Sequence, residues 1–445
     1  MRIAVVGSGI AGLAAAWSLS RRHDVVLYEA ERRLGGHAHT VTVRLDGRLV
    51  PVDTGFIVYN ELNYPNLTAL FGQLGVATVA SDMSFAVSLD RGRYEYSGSI
   101  AGLVAQPANV VRPSHWAMLR DVVRFYRAAP GLLDRGMPAD TTIGDVLAAG
   151  GYSRVFLDRH LLPMAAAIWS CPLGDVSRMP AETFIRFFDN HRLFSLGERP
   201  RWRTVVGGSR EYVQRLAADF GGTIRLGAPV AAVHRTPAGV TVRDGRGHTD
   251  RFDAVVMGCH ADQALRILGD EATPAERQTL GAVGFRPNRA ILHTDRSLMP
   301  RRRRAWASWN YMARSEDQGG SEAGVALSYW MNRLQPLAVR RPVILSLNPL
   351  DEPAPETVLG SWSYDHPAFD AAAVAAQRRL PAIQGTAGTW YCGAWTGFGF
   401  HEDGLSSALG VARALGCAAP WEPPIDPDTI APTAVEYPAD SLEAA

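Results

Sequence analysis

The segment Gly7-Ser8-Gly9-Ile10-Ala11-Gly12 spaces its glycines so that backbone N–H groups can close on a phosphate. Arg2 to Val6 (RIAVV) precede it as a buried strand, and the Ala-rich run Leu13 to Ser20 follows as a helix. An anion at that helix N-terminus meets the positive end of the helix dipole. A second strand, Val25 to Tyr28, ends in Glu29, where a carboxylate can accept hydrogen bonds from a ribose diol. Glycines at this spacing are a weak sign alone. Strand, turn, helix, strand and acid in succession predict a dinucleotide site.

The acid at 29 disfavours a 2′-phosphate, so NADP is not expected. Arg33-Leu34-Gly35-Gly36 lies just beyond it and lets a second loop approach a long pyrophosphate and ribityl chain. A further glycine follows in Val52-Asp53-Thr54-Gly55. Near the other end, Trp390-Tyr391-Cys392-Gly393 reads as a buried strand, followed by a Gly-rich aromatic stretch, Ala394 to Gly404. Leu405, Ala408, Leu409, Ala412 and Leu415 then recur at helical spacing. That helix N-terminus would face a flavin pyrimidine edge, which becomes anionic on reduction. FAD is therefore expected over NAD.

The elements that must position these residues are scattered. Val205 to Ser209 (VVGGS) opens a helix, Arg210 to Asp219. Strands follow at Thr223 to Leu226 and Val230 to His234, then a hairpin, then Ala254 to Met257 ending at Gly258. The pattern predicts an α/β fold: a Rossmann-like FAD-binding domain split over 1–60, 205–265 and 386–420. An α+β substrate domain is inserted as 61–204 and 266–385. Within it His115 to Arg127, Tyr152 to Ser170, Glu182 to Phe188 and Ala371 to Arg379 read as helices. Arg289 to His293 and Gly324 to Trp330 read as strands. Residues 421–445 are Pro-rich and acidic, which predicts an extended tail.

Net charge is +1 over 445 residues, so no whole-molecule field invites nucleic acid. No apolar run approaches the roughly 20 residues of a membrane span. A strand beginning at residue 2 leaves no room for a signal peptide. Cys171, Cys259, Cys392 and Cys417 are scattered, without a CxxC, which predicts reduced thiols, a cytoplasmic setting and no metal site. All 45 basic residues are arginine. A Schiff-base lysine, a P-loop lysine and a lysine-held water are thereby excluded.

Taken in order, EAERRLGGHAHT, VDTGF, VVGGSREYV, APVAAV and CGAWTGFGFHEDGLSSAL resemble the flavin-containing amine oxidase and phytoene desaturase superfamily. They are most similar to a bacterial branch of FAD-binding oxidoreductases often encoded beside cyclopropane-fatty-acid synthase-like methyltransferases. The resemblance reaches about residue 418. It implies Gly7, Gly9, Ile10, Ala11 and Gly12 on the pyrophosphate and Glu29, with Ala30, at the adenosine ribose. Arg33, Gly35, Gly36 and His37 would line the pyrophosphate and ribityl loop. Gly55, Phe56 and Ile57 would face the flavin, and Val230 would contact adenine. Gly393, Glu402, Asp403 and Gly404 would hold the ribityl and pyrimidine end. Two departures thin the phosphate grip: His37 stands where the superfamily shows arginine, and Glu31 stands where it also does.

The superfamily's amine oxidases hold a water beside flavin N5 with a lysine, and this chain has none. Desaturation, saturation or double-bond isomerisation of an apolar, fatty-acyl substrate by hydride transfer to and from flavin N5 is therefore expected ahead of amine oxidation with release of hydrogen peroxide. A non-catalytic flavin-binding protein is a third reading. His401 and Glu402 are candidates for proton transfer beside the ring, with helix capping as the alternative, for Asp403 also. Trp169, Tyr329, Trp330, Tyr364, Trp395 and Phe398 are candidate pocket walls; core packing competes for Trp169, Tyr329 and Trp330, while Tyr364 or Trp362 with Trp395 or Phe398 could form an aromatic sandwich. His191 and His366 read as structural. The run Arg301-Arg302-Arg303-Arg304 is a solvated loop or a contact for anionic phospholipid, and Val110 to Tyr126 is amphipathic. The expected partners are thus a small-molecule or lipid substrate and, at most, peripheral contact with the inner face of a membrane.

Overall fold

Arg2–Val6 is apolar at every position after its first, as a strand must be when both its faces are covered. In this computed structural model, which describes residues 1–423 apart from 139, 196, 198, 199 and 315–324, it lies mid-sheet. The five strands run Thr223–Arg225, Asp24–Tyr28, Arg2–Val6, Ala254–Met257, Thr389–Tyr391, all parallel. The period of two sorts their side chains. Ile3, Val5, Leu27 and Val256 enter the core under the helices Ile10–Leu19 and His401–Ala414. Ala4, Val6, Val26, Val255 and Met257 enter the opposite core, against the antiparallel sheet of Val230–Thr236, Gly239–Asp244 and Thr249–Phe252.

All ten residues of Ile10–Leu19 are buried. Its alanines and Gly12 let it press against the sheet and the C-terminal helix. A Cβ on Gly12 would stand 1.9 Å from the Gly7 carbonyl oxygen, so only glycine fits the crossing.

A seven-stranded mixed sheet forms the second body, in the order Val358–Pro367, Phe285–His293, Ile344–Leu347, Ala326–Trp330, Trp309–Ala313, Phe85–Leu89, Tyr94–Ser97. The helices Pro113–Ala128, Leu162–Trp169 and Ala181–Asn190 bury their apolar faces with it in one core. The helix expected over 152–170 is broken. Arg154–Phe156 leads into a widened π turn, Leu157–Leu161, before Leu162–Trp169 resumes. Pro163 supplies the cause, because it has no N–H to give and crowds the carbonyl four residues earlier. His160 sits in the widened turn, bridged to Tyr96 Oη (2.9 Å) and Tyr126 Oη (2.8 Å).

The seam between the two bodies follows apolar faces rather than chain segments. The hairpin Thr40–Leu45/Arg48–Asp53 sends Val43, Leu45, Val50 and Val52 into the core of the seven-stranded sheet. Pro65–Gln73, assigned above to the insert, packs Leu67, Leu70 and Phe71 under the nucleotide sheet instead. The start of the expected 324–330 strand and the tail from 424 onward lie outside the described residues. Among the described residues no helix is long and apolar enough to cross a membrane, and no His/Cys/Asp/Glu group is arranged to hold a metal ion.

Candidate active site

The carboxyl ends of the parallel strands open into a cavity of about 1190 Å³, bordered by Val6, Gly7, Tyr28, Gly258 and Gly393. Ligands bind at this edge of open parallel sheets because helix N-termini converge there. The helix Ile10–Leu19 starts at Gly9 with no side-chain cap and no acid in its first turn, so its leading N–H groups and dipole are unmatched. A Cβ built on Gly9 would meet no atom within 4 Å, while one on Gly36 would lie 3.0 Å from Gly9 Cα. The two glycine loops thus face each other at the cavity wall. Bare N–H groups and bare backbone make a cradle for a diphosphate.

Glu29 lines the same wall and is nearly buried. One oxygen accepts from Ser8 N–H (2.8 Å) and Ser8 Oγ (2.5 Å), the other from Glu31 N–H (2.7 Å). The carboxylate is fixed in orientation with acceptor capacity left over. Asp53 has a different task. Its buried carboxylate takes Ser209 N–H (2.9 Å), Ser209 Oγ (2.8 Å), Thr40 Oγ1 (2.6 Å) and Gln335 Nε2 (2.7 Å). That joint ties the VDTG and GGS segments together, and burial raises its pKa to about 6.

A set of imidazoles lies beyond the second glycine loop. The His37 ring is 5.6 Å from His366, 6.0 Å from His260 and 5.2 Å from Tyr364, centroid to centroid. Burial, with His366 and His260 close by, pushes His37 well below its usual pKa. Burial also lowers His366 and His39 to about 4. Tyr364 Oη holds His39 Nδ1 (2.8 Å) and Thr54 Oγ1 (2.6 Å). The imidazoles are therefore neutral hydrogen-bonding groups at neutral pH.

Away from the glycine loops the cavity wall is mainly aromatic, with His191 stacked on Phe187 at 4.0 Å. Trp169 packs on Phe187 (4.8 Å), which stacks on Phe400 (5.2 Å) and touches Phe398 (5.5 Å). Tyr329 meets Trp309 edge-on (5.0 Å), and Leu345 and Leu347 complete that side. At the junction His401 stacks on Phe56 at 3.7 Å, with Nε2 3.0 Å from Tyr212 Oη. Burial lowers its pKa to about 3.

Residues 10–415 match the family described as flavin containing amine oxidoreductase. The chain belongs to that family. Over 284 residues it is 28% identical to AofH of Mycobacterium tuberculosis, provisionally named a flavin-containing monoamine oxidase, covering 62% of this chain and 61% of AofH. It is 37% identical over 316 residues to a carotenoid phi-ring synthase of Streptomyces griseus, covering 66% of this chain and 57% of the synthase. The chain spans about three fifths of the length of these curated relatives. A CLA-producing fatty acid isomerase from P. acnes has the same fold, with TM-score 0.62 at 16% identity, over 93% of this chain and 98% of the isomerase.

FAD is the cofactor of the flavin-containing amine oxidoreductase family, and the glycine cradle and uncapped helix fit its diphosphate. Of the residues expected at this cofactor, Gly7, Gly9, Ile10, Ala11, Glu29, Ala30, Arg33, Gly36, His37, Gly55, Phe56, Ile57, Val230 and Gly393 border the cavity. Gly12 and Gly35 do not; they shape backbone, and a Cβ on Gly35 would stand 2.5 Å from the Ala38 carbonyl oxygen. Gly404 also stands back, against Ile10 and the Ala394 amide.

Three expectations need correction. Glu402 does not reach the cavity: its oxygens accept from Asn66 N–H, Asn66 Nδ2 and Leu67 N–H, each at 2.9 Å, capping Pro65–Gln73. Asp403 turns back to accept from Phe400 N–H (2.8 Å), and burial raises its pKa to about 6. Trp330 lies away from the cavity, with the Arg303 guanidinium over its ring at 4.0 Å and Trp306 beside it. Trp169, Tyr329, Tyr364, Trp395 and Phe398 all line the cavity, as do His191 and His366, which were read as structural. Sequence reasoning missed His39, His260, Phe187 and Trp309. The HAH spacing and the GCH turn after Met257 carried a signal for the histidines; the aromatics have none until the helices fold.

Proposed function

We propose that this protein is an FAD-dependent oxidoreductase acting on an apolar substrate, a fatty-acyl chain in which a carbon–carbon double bond is formed, saturated or moved. FAD, when bound, supplies a hydride acceptor and donor at N5. The diphosphate would lie on Gly9, Ile10, Ala11 and Gly36, the ribose on Glu29, and adenine beside Val230, with Gly393 toward the flavin end. The observation that carries the reading is the division of charge in the cavity. Of its charged wall residues, Glu29, Glu31 and Arg33 belong to the glycine loops, Arg266 to the helix after His260 and Asp365 to the strand between Tyr364 and His366, while Trp169, Phe187, Tyr329, Leu345 and Phe398 bring no charge to theirs.

An acyl chain gains about 0.8 kcal/mol for each methylene buried against Trp169, Phe187, Tyr329 and Leu345. An alkylammonium group there would find no carboxylate, and an unpaired buried charge costs several kcal/mol. The aromatic wall orients the chain and keeps water out. His401 is neutral and held by Tyr212; with its pKa lowered to about 3 it is a weak base with no imidazolium proton to give, so its part beside the ring is hydrogen bonding and packing on Phe56. Contact with phospholipid, as the source of the acyl chain, belongs to the same proposal.

Amine oxidation is favoured by the family name and by aromatic faces that attract cations. Against it stand the absence of lysine from the chain and the uncharged far wall. Anaerobic incubation of the purified flavoprotein with phospholipids and with amines decides. Bleaching of the flavin absorbance by lipid is the expected result. Bleaching by amines alone overturns the acyl-chain reading, and no bleaching by either points to a non-catalytic flavin-binding protein.

A further inference from the structure

Of the twelve large hydrophobic side chains exposed among the described residues, five fall within seventeen consecutive positions, 100–116. Ile100 is 89% exposed, Val111 80% and Trp116 54%, with Val104 and Val110 beside them. Ile100 opens a short helix, Ile100–Leu103, that Val104 ends; Val110 and Val111 follow a turn at Pro107–Asn109; and Trp116 lies near the start of Pro113–Ala128.

This segment is held outward by polar bonds. Asn109 is fully buried and gives Nδ2 to the Glu95 carbonyl (2.9 Å). Gln106 Nε2 reaches the Arg93 carbonyl (2.9 Å), Arg112 reaches Asn109 Oδ1 (2.9 Å), and Trp116 Nε1 holds the Val110 carbonyl (2.8 Å). A satisfied scaffold beneath exposed apolar side chains marks a presented surface rather than a loosely packed core.

Its surroundings are cationic. The Arg303–Ala305 turn packs against Ile100–Leu103 and against Tyr94–Ser97. Of the four consecutive arginines, Arg302 pairs with buried Glu95 (3.0 Å) and Arg303 covers Trp306 (3.8 Å) and Trp330 (4.0 Å). Arg301 and Arg304 are exposed and their guanidinium groups have no carboxylate partner among the described residues, nor do those of Arg93 and Arg112; the Arg301 backbone N–H donates to Glu95 (2.7 Å). Residues 96–120 contain no Asp or Glu. Apolar tips beside guanidinium groups that lack carboxylate partners complement a surface that is anionic outside and hydrocarbon beneath.

We propose that this face seats the protein on an anionic phospholipid surface, with Ile100, Val111 and Trp116 at the acyl boundary and Arg301 and Arg304 at headgroup phosphates. The proposal deepens the acyl-chain reading and rests on it only for the meaning of the contact: adsorption needs no flavin chemistry, so vesicle binding and flavin bleaching can fail separately.

The test is co-sedimentation of the full-length flavoprotein with vesicles of equimolar phosphatidylglycerol and phosphatidylcholine, against phosphatidylcholine alone. The protein should pellet with the first and stay in solution with the second. Arg301→Gln and Arg304→Gln should each weaken partitioning roughly fivefold. The combined Ile100→Ser, Val111→Ser and Trp116→Ala variant should stay in solution with both vesicle types, its flavin absorbance showing that the fold is kept. Leu49→Ser, an exposed apolar site elsewhere, should change nothing. Failure of the wild type to pellet, or equal binding by the combined variant, overturns the proposal. So does a dimer in light scattering that the combined variant turns into monomers, which would make the face a contact between copies of this chain.

Discussion

Substituting Gly9 by alanine separates cofactor binding from folding. Gly9 has φ −61° and ψ 177°, which alanine adopts freely, and the added Cβ meets no protein atom within 4 Å. Alanine restricts the unfolded chain, a gain of about 0.4–1 kcal/mol. It is also a poorer N-cap than glycine, a loss of roughly 0.5–1 kcal/mol. The two offset, so the apoprotein Tm should move by less than about 2 °C. The methyl group instead projects where the diphosphate must pass, and overpacking of that size costs about 1–3 kcal/mol. FAD affinity should fall by roughly 5- to 150-fold. Flavin retained after gel filtration and quenching of flavin fluorescence on titration both measure this. Gly12→Ala is the counterpart: its Cβ would strike the Gly7 carbonyl oxygen at 1.9 Å, so the fold itself should suffer. If Gly9→Ala binds FAD within about twofold of wild type, the diphosphate does not cross Gly9 and the placement fails.

Glu29→Gln turns one acceptor into a donor facing Ser8 or Glu31 N–H, costing about 1–3 kcal/mol, so FAD should wash out roughly 5- to 150-fold more readily in ultrafiltration. Unchanged retention would remove Glu29 from the site. Glu402→Ala should lower Tm through loss of the cap on Pro65–Gln73, about 1 kcal/mol, and leave flavin reduction untouched; a large drop in reduction rate would restore Glu402 as a catalytic residue. His401→Ala should slow flavin reduction with FAD still bound, and normal reduction kinetics would take His401 off the catalytic path. Acid should destabilise the fold through buried His293 and His401, lowered by burial to about 4 and about 3. Unfolded histidine titrates near 6.5, so their contribution is complete above that pH and is lost as pH falls toward the folded values, about 1.4 kcal/mol each by about pH 5.5. Asp53 and Asp403, raised by burial to about 6, oppose this by about 0.8 kcal/mol each. The urea midpoint should therefore be lower at about pH 5.5 than at about pH 7.5, and an equal or higher midpoint would refute neutral burial of the histidines.

The nucleotide half was legible because its signals are local. The turn Gly7–Gly12 needs six consecutive residues, and the parallel strands announce themselves as apolar runs covered on both faces. Glu402 was misread for a related reason: an acid at a helix start suits both capping and catalysis, and only the position of Asn66 and Leu67 separates the two. Trp330 was misread because a Trp at a strand end carries no label for the face it takes. Its neighbour Tyr329 points into the cavity and Trp330 away, as alternation requires, but which of the pair faces inward depends on the sheet's partners.

Sequence alone determined the cofactor class, the split of its cradle over distant segments and the lack of any lysine for chemistry. Each is a matter of residue type or of contacts a few positions apart. Tertiary structure decided the rest: that Glu402 caps a helix, that imidazoles from 37, 39, 260 and 366 gather at one wall, and that Trp169, Phe187, Phe398 and Phe400 meet across distant segments. Those facts rest on burial and on pairs separated by hundreds of residues. Desolvation, which keeps the histidines neutral, exists only once the chain has closed around them.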